Sequence, residues 1–210
     1  IRVLQTGVAG ENGVLYAALV NQLHHFHGRA GLGAVMGAKR LKAIVCRGHG
    51  KVEAHDPAAL RQALDWFRAH YDRKADVRHD LGTANGVLPL DRDGILPTRN
   101  FREGSFEHAR EISGQTMRDT ILVNRGTCYA CAVACKREVA VPERGVGPVH
   151  GGPEYETIAA HGSLQGIGDL GHIAQANMIC AQYVVDTISS GAAIAFAMEC
   201  YENGIIGPSD

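Results

Sequence analysis

Three cysteines fall within eight residues of the stretch Gly126–Arg137, GTCYACAVACKR. The C-x2-C-x3-C spacing lets three thiolates bind adjacent corners of one [4Fe–4S] cluster, which then needs a fourth ligand from elsewhere. Zinc sites are usually built from two ligand pairs, whereas this stretch has one pair and one extra cysteine. Three buried cysteines on one face of a helix are the other alternative. A preceding glycine and a following basic pair favour a loop around an anionic cluster, and the expected iron ligands are Cys128, Cys131 and Cys135.

The residues that follow the cysteines predict turns and then helices. Pro142–Pro153 is rich in turn residues, and the segment 154–203 has small and apolar residues at helical spacing. Glu154 and Glu156 stand at the start of the first of these helices, where a carboxylate can simply interact with the helix dipole. A desolvated glutamate beside a cofactor could instead act as a general acid or base.

Upstream of the cysteines, the chain changes character near residue 50. The first quarter is rich in glycine, Leu41–Cys46 has the composition of a strand, and Val14–Leu23 could be a helix or a buried strand. Asp56 and Pro57 form a helix cap followed by a proline at the first helical position, and the apolar spacing after them predicts a helix of about four turns. The sequence therefore predicts an α+β chain that has a short β-containing, glycine-rich N-terminal segment and is predominantly helical after about residue 50.

Two stretches in the middle of the chain are less regular. Gly82–Gly104 contains two prolines and four glycines, and we expect it to be an ordered loop region. Ala109–Val123 has a loosely helical pattern.

The stretch Gly28–Arg40, GRAGLGAVMGAKR, has the glycines and basic residues of an anion-binding loop. Its G-x-x-G-x-G spacing differs from the Rossmann pattern G-x-G-x-x-G, and it precedes a strand instead of following one. It also lacks the G-K-[ST] of a P-loop. A glycine-rich turn without a ligand explains this stretch about as well as a binding loop does.

Composition and charge exclude several classes of protein. The 210 residues are 45% hydrophobic and 20% charged, as in ordinary globular proteins, and a net charge of −1 gives no sign of nucleic-acid or membrane-surface binding. No apolar run approaches the ~18 residues of a membrane span. Cys46, Cys180 and Cys200 stand singly among apolar residues and are expected to be buried thiols. The chain begins without methionine and ends on a segment typical of a helix cap, so we expect an internal part of a longer protein.

Five segments of the chain, taken together and in this order, resemble the tungsten-dependent aldehyde:ferredoxin oxidoreductase family. The resemblance extends over nearly the whole chain. The segments are GRAGLGAVMGAKRLKAIV from Gly28, LPTRNF from Leu96, CYACAVACKR from Cys128, GPEYETIAA from Gly152 and DTISSG from Asp186.

The resemblance implies both a fold and an activity. Residues 1–52 would be the tail of a β-rich, pterin-binding base domain, and residues 53–210 a mainly helical second domain that is incomplete at its C-terminus. The family oxidises aldehydes to carboxylic acids at tungsten, rarely molybdenum, held between two pyranopterins, and its electrons leave through a [4Fe–4S] cluster to ferredoxin. The expected partners are thus an aldehyde and ferredoxin or an iron–sulfur electron-transfer subunit, in the cytoplasm, with a homo-oligomer as one possible assembly. We expect this chain alone to be inactive.

The resemblance also assigns roles to individual residues. Cys128, Cys131 and Cys135 would bind the cluster, with the fourth ligand beyond Asp210. Glu154, or second Glu156, would accept a proton or orient water near the metal. The residues expected to hold the pterins and the Mg²⁺ that bridges their phosphates are Gly28, Arg29, Ala30, Gly31, Gly33, Lys39, Asp186 and Thr187.

One segment departs from the family pattern. The family's first pterin motif is D-x-x-G-L-(D/C), but the corresponding residues here are Ala181–Asp186, AQYVVD. Only the final acid remains, because Ala181 replaces the first acid and Val184 replaces the glycine. The departure leaves two alternatives open: a reductive family member of the type that dearomatises aryl-CoA thioesters, and a non-catalytic iron–sulfur electron-transfer subunit.

Overall fold

A computed structural model describes all residues, 1–210, and has an α+β fold. Helices account for 46% of the residues and strands for 14%, and most of the helix follows residue 50. The predicted fold class is therefore confirmed. None of the helices combines the length and the apolar character that a bilayer-crossing segment needs.

The chain forms six strands and nine α-helices. The strands are β1 (Arg2–Gln5), β2 (Leu19–Asn21), β3 (His25–His27), β4 (Ala43–Cys46), β5 (Leu122–Gly126) and β6 (Lys136–Val139). The helices are α1 (Val8–Glu11), α2 (Leu32–Ala38), α3 (Pro57–His70), α4 (Val77–Leu81), α5 (Val87–Arg92), α6 (Gly114–Thr120), α7 (Tyr155–His161), α8 (Leu170–Tyr183) and α9 (Thr187–Glu202). Five short 3₁₀ segments lie at Arg73–Ala75, Thr83–Gly86, Pro142–Arg144, Pro148–His150 and Ser163–Gln165.

The N-terminal segment forms an antiparallel sheet with the strand order β3-β2-β1-β4. The predicted strand at 41–46 is present as β4, and the ambiguous stretch Val14–Leu23 contains β2. Helices α1 and α2 contact each other through glycines, since a Cβ added to Gly37 would lie only 1.9 Å from the carbonyl oxygen of Gly10. Cys46 is exposed, so the expectation of a buried thiol there is wrong. Its strand β4 pairs with β1 alone and lies at the edge of the sheet.

Helix α3 begins as its sequence predicts. The Asp56 carboxylate accepts hydrogen bonds from the backbone N–H groups of Ala58 and Ala59, at 3.0 and 2.9 Å, and Pro57 is the first helical residue. This cap satisfies two donors that a helix leaves unpaired. No residue of α3 is buried.

The main core lies among the helices that follow residue 80. Its fifteen buried residues extend from Ala84 to Ala174 and include Ile112, Met117 and Ile158. Helix α7 packs against both α8 and α9. The approach to α9 is close, because a Cβ on Gly191 would lie 2.6 Å from the carbonyl oxygen of Ala160.

Two predictions for the middle of the chain need correction. Gly82–Gly104 is not loop throughout, because it contains a 3₁₀ turn and α5, whose Val87 is fully buried. Within Ala109–Val123 only α6 is an α-helix, and its N-cap Ser113 accepts a hydrogen bond from the N–H of Thr116. The chain then enters β5, because pairing with β6, more than ten residues away, outweighs the weak helical pattern.

The sheet and the helical part meet along the segment between α8 and α9. Ala17 and Val185 form an antiparallel bridge, and the N–H of Ala18 donates to the carbonyl of Val184 at 2.8 Å. The N–H of Asp186 donates to the carbonyl of Tyr16 at 3.1 Å. These bonds hold the N-terminal sheet beside the start of α9.

Candidate functional site

The three clustered cysteines lie on the loop that joins β5 to β6. They are not on a helix, so the alternative of three thiols on one helical face is wrong. The loop is tightly turned: the N–H of Cys131 donates to the carbonyl of Cys128 at 3.1 Å, and the Thr127 hydroxyl donates to the carbonyl of Cys131 at 2.8 Å. Ala130 and Ala134 have positive φ angles of 55° and 52°, which are uncommon for alanine. All three thiols are free, and Cys128 is the most exposed.

The three free thiols of this loop are the type of donor that an iron–sulfur cluster takes. No three acidic, histidine or cysteine side chains converge closely enough to hold one metal ion. A cubane instead takes one thiolate at each iron, so its ligands stand further apart than those of a mononuclear site. The pKa of Cys135 is raised, first by burial and then by the negative charges of Glu154 and Cys131.

A buried guanidinium lies under the cysteine loop. Arg137, in β6, is 1% exposed and donates to the carbonyl oxygens of Cys135 and Ala134 within the loop, each at 3.0 Å. The same guanidinium donates to the carbonyls of Asp80 and His79 at 2.8 and 3.0 Å. Burial lowers the pKa of Arg137, but an arginine stays protonated in proteins. The side chain thus ties the cysteine loop to the end of α4.

Two further side chains connect the same elements. The His79 ring nitrogen Nδ1 lies 2.8 Å from the carbonyl oxygen of Val133, in the cysteine loop. Arg125 in β5 donates to the carbonyl of His79 at 3.0 Å and pairs with the Asp80 carboxylate at 3.0 Å. The loop is therefore held by contacts with α4 as well as by its own turns.

The N-terminal sheet reaches the cysteine loop through a histidine of β3. Nδ1 of His25 lies 3.8 Å from Sγ of Cys128. The pKa of His25 is lowered, chiefly by burial and then by neighbouring His24 and Lys136. A neutral imidazole can donate one N–H to a thiolate.

A cavity of about 320 Å³ opens beside the cysteine loop, at the junction of the sheet and the helices. It brings together five of the predicted site residues, which are Gly28, Glu154, Glu156, Asp186 and Thr187. The remaining walls are formed by His24, Phe26, Lys136, His150, Gly152, Thr157, Asn177, Ala181, Val185 and Ile188. Lys136 directly follows Cys135, so the cavity and the cysteine loop are adjacent.

Of the two predicted carboxylates, Glu154 is the more firmly held. One of its oxygens accepts a hydrogen bond from the Lys136 ammonium at 3.1 Å, and the other accepts from the Thr83 hydroxyl at 2.5 Å. Glu156 is exposed in the first turn of α7 and makes no side-chain hydrogen bond. Both line the cavity, but only Glu154 is oriented by partners on both oxygens.

Asp186 and Thr187 line the cavity where α9 begins. The Asp186 carboxylate caps α9 by accepting from the N–H of Ser189 at 2.9 Å and from the Ser189 hydroxyl at 2.5 Å. The Thr187 hydroxyl lies 2.8 Å from that of Thr157 in α7. Gly28 passes close to this cap, since an added Cβ would lie 3.1 Å from the Asp186 carboxylate.

The rest of the glycine loop lies outside this cavity. Ala30 and Gly31 both have left-handed φ angles, 72° and 67°, just before α2. A Cβ on Gly31 or Gly33 would lie 2.3 Å from a backbone carbonyl oxygen of the 15–18 segment, so these two glycines are required by the protein's own packing. Arg29 and Lys39 have exposed side chains.

Sequence reasoning missed several residues of this site. The sequence predicts one basic pair at Lys136 and Arg137, but in the structure Lys136 bonds to Glu154 and Arg137 is buried. The alternation of sides along a strand could have separated them. His150 contributes a buried Nδ1 that has no hydrogen-bond partner. Its position four residues before Glu154 gave no specific signal.

Comparison with known proteins supplies the family context. Residues 58–210 match the family model "Aldehyde ferredoxin oxidoreductase, domains 2 & 3", and residues 1–48 match the model of the N-terminal domain of the same family. The chain is 41% identical to a tungsten-containing aldehyde ferredoxin oxidoreductase of Pyrococcus horikoshii, over 100% of the chain and 35% of that protein. It is 41% identical to the protein of the same name from Thermococcus kodakarensis, over 98% of the chain and 34% of that protein. The chain thus spans about a third of the length of these relatives.

Two more distant proteins share the fold or part of the sequence. An aliphatic sulfonate oxidoreductase, WOR-like subunit, of Pyrococcus furiosus is 29% identical over 99% of the chain and 34% of that protein. The solved structure of the active site complex BamBC of benzoyl coenzyme A reductase superposes with a TM-score of 0.75 at 21% identity. That superposition covers 100% of this chain and 33% of the BamBC chain, and it shows a common fold.

Proposed function

Because this chain belongs to the aldehyde ferredoxin oxidoreductase family, we propose that it is the part of a tungsten enzyme that binds the iron–sulfur cluster and contributes one wall of the substrate site. The proposed reaction is the oxidation of an aldehyde to a carboxylic acid. The electrons leave through a [4Fe–4S] cluster on Cys128, Cys131 and Cys135 to ferredoxin or to an iron–sulfur subunit in the cytoplasm. The observation that carries the proposal is the adjacency of three free thiols and a cavity that contains an oriented carboxylate.

The residues present here have distinct tasks in this proposal. The metal bound by two pyranopterins would supply Lewis acidity and accept two electrons. Glu154 would accept the proton that leaves as water adds to the carbonyl carbon, and Lys136 and Thr83 would hold its carboxylate in place. Asp186 and Thr187 would contact the pterin from the start of α9, and Gly28 from the glycine loop beside it. Mg²⁺ and the pterin phosphates would be met by Arg29, Ala30, Gly31, Gly33 and Lys39.

The division of the chain follows the same proposal. Residues 1–52 would be the tail of the base domain, and residues 53–210 would belong to the helical part. The family-model matches support this division, because they change from the N-terminal domain to domains 2 and 3 between residues 48 and 58.

A second candidate is supported by the segment 181–186. Ala181 lines the cavity where the family motif has an acid, which removes one hydrogen-bonding group from the wall. A family member with a different substrate, including a reductive one, or an electron-transfer subunit without pterin, fits this change. Metal analysis and a substrate assay separate these candidates.

The test uses the full-length protein purified without oxygen. We expect iron and tungsten or molybdenum to be present together, and aldehyde-dependent reduction of a viologen dye. Iron without either heavy metal would favour the electron-transfer subunit, and both metals without aldehyde-dependent dye reduction would favour a different substrate. Zinc alone would contradict all three.

Substitution of the carboxylates tests the assignment of the base. Glu154→Gln should lower kcat by about 10²–10⁴-fold, the usual contribution of a general base, while leaving the iron content unchanged. Glu143→Gln is the matched control, since Glu143 is an exposed glutamate in the 3₁₀ segment Pro142–Arg144 and should have no effect. If Glu156→Gln alone produced the loss, the base would be Glu156.

A further inference from the structure

The Arg137 guanidinium is buried without a counter-ion. Its exposure is 1%, and it takes part in no salt bridge, although lysine and arginine side chains form twelve ion pairs elsewhere in the chain. Its only partners are the four backbone carbonyls of Cys135, Ala134, Asp80 and His79. Carbonyl dipoles compensate part of the cost of removing a cation from water, but a buried cation is normally paired with an anion.

The anion expected beside Arg137 comes from the loop that it holds. Two of its four hydrogen bonds go to loop carbonyls, one of them that of Cys135 itself. A cluster ligated by thiolates on this loop would carry the negative charge that the protein interior lacks at this point.

The surrounding backbone is shaped to admit this side chain. Gly82 has a φ of +67°, and a Cβ there would lie 3.0 Å from both Cδ and Nε of Arg137. A Cβ on Gly152 would lie 3.1 Å from Cβ of Arg137. Gly82 therefore leaves space for the arginine side chain, and Gly152 lies close to the backbone end of the same residue.

We propose that Arg137 positions the loop that binds the iron–sulfur cluster and is itself the buried counter-charge of that cluster. The inference rests on the proposed function, because it requires a cluster on the three cysteines. The hydrogen bonds to Cys135 and Ala134 fix the loop in the conformation that presents the thiolates. Each electron that enters adds one negative charge near Arg137 and breaks no bond, so the fixed cation stabilises the reduced form and raises the reduction potential.

Two variants separate the geometric from the electrostatic role. Arg137→Lys keeps the charge and loses the planar fork of donors, whereas Arg137→Gln loses the charge as well. We expect both to bind the cluster less firmly, seen as faster loss of its visible absorbance on warming. The one-electron reduction equilibrium of Arg137→Gln should be about tenfold less favourable than that of Arg137→Lys, a shift of about 59 mV to lower potential in an EPR-monitored titration.

Arg118→Met is the control, since it removes a partly exposed cation that pairs with Asp80 and Asp119. It should leave both the cluster's stability and its potential unchanged. Equal potentials in the Lys and Gln variants would overturn the electrostatic role, and a wild-type rate of cluster loss in Arg137→Lys would overturn the positioning role. If Arg137→Lys failed to fold, Arg137 would belong to the fold and the inference would be wrong. Absence of iron from the anaerobic wild-type protein would instead refute the proposed function.

Discussion

Val184 is a β-branched residue in a left-handed conformation, with φ 59° and ψ 58°, and it ends helix α8. This conformation costs a residue with a Cβ roughly 1–2 kcal/mol and costs glycine almost nothing. The family motif has glycine at this position, whereas here the valine side chain is 4% exposed and packs with Ala18 and Val20. We therefore expect the usual destabilisation of a glycine variant relative to an alanine variant to be largely cancelled at position 184.

The magnitude follows from opposing contributions. Both Val184→Ala and Val184→Gly lose buried methyl groups, at about 0.8 kcal/mol each, so both should be less stable than the wild type. Glycine alone relieves the left-handed conformation, by roughly 1–2 kcal/mol. Relative to alanine it costs about 0.4–1 kcal/mol in the entropy of the unfolded chain and about 0.8 kcal/mol for one more buried carbon. These contributions nearly cancel, so Val184→Gly and Val184→Ala should differ by less than about 1 kcal/mol in their free energies of unfolding.

Urea denaturation of the full-length variants measures this difference. Ala193→Gly, at an exposed position inside α9, is the matched control and should be destabilised by about 1 kcal/mol relative to alanine. If Val184→Gly were less stable than Val184→Ala by as much as this control, the backbone at residue 184 would not be left-handed and the reasoning would fail.

Two other predictions concern the N-terminal helices and the buried histidine. Gly37→Ala should destabilise the protein by roughly 2 kcal/mol or more, as overpacking does, because the new methyl group would collide with the facing backbone of α1. The control is Gly48→Ala, which has no atom within 4 Å of the new methyl group. It should be nearly neutral in the same denaturation assay. His161 is 5% exposed, and burial lowers its pKa. The unfolded chain therefore binds more protons below about pH 6.5, so the free energy of unfolding should fall as the pH drops through that value. This fall should be less steep in His161→Gln. An unchanged dependence of stability on pH in that variant would exclude His161 as the cause.

The sequence was sufficient where local chemistry determines the structure. The cap at Asp56, the proline after it and the apolar spacing that follows are short-range features, and α3 begins where they predict. The helices after residue 154 were predictable for the same reason, since their small and apolar residues recur at helical spacing.

Long-range pairing explains most of what the sequence did not predict. The β5–β6 hairpin joins residues on either side of the cysteine loop, and neither strand has a strong pattern of its own. Arg99, Asn100 and Phe101 have three consecutive left-handed φ angles, of 44°, 52° and 65°, although none is glycine. The backbone N–H groups of the first two bind the carbonyls of the 163–164 turn, so their conformation depends on a contact that is distant in sequence.

The departure from the family motif changes which polar groups the wall formed by α8 and the start of α9 presents to the cavity. Asp186, the acid that remains, already accepts two hydrogen bonds from Ser189, so much of its capacity is used by the cap. Ala181 offers no polar atom to the cavity, but Asn177 stands one turn earlier on the same face of α8, lines the same wall and makes no hydrogen bond to the protein. Asn177 is thus one helical turn from the position where the family motif has an acid, and its free side-chain amide can both donate and accept hydrogen bonds. This wall of the cavity therefore presents a neutral amide next to the position where the family motif has a charged acid.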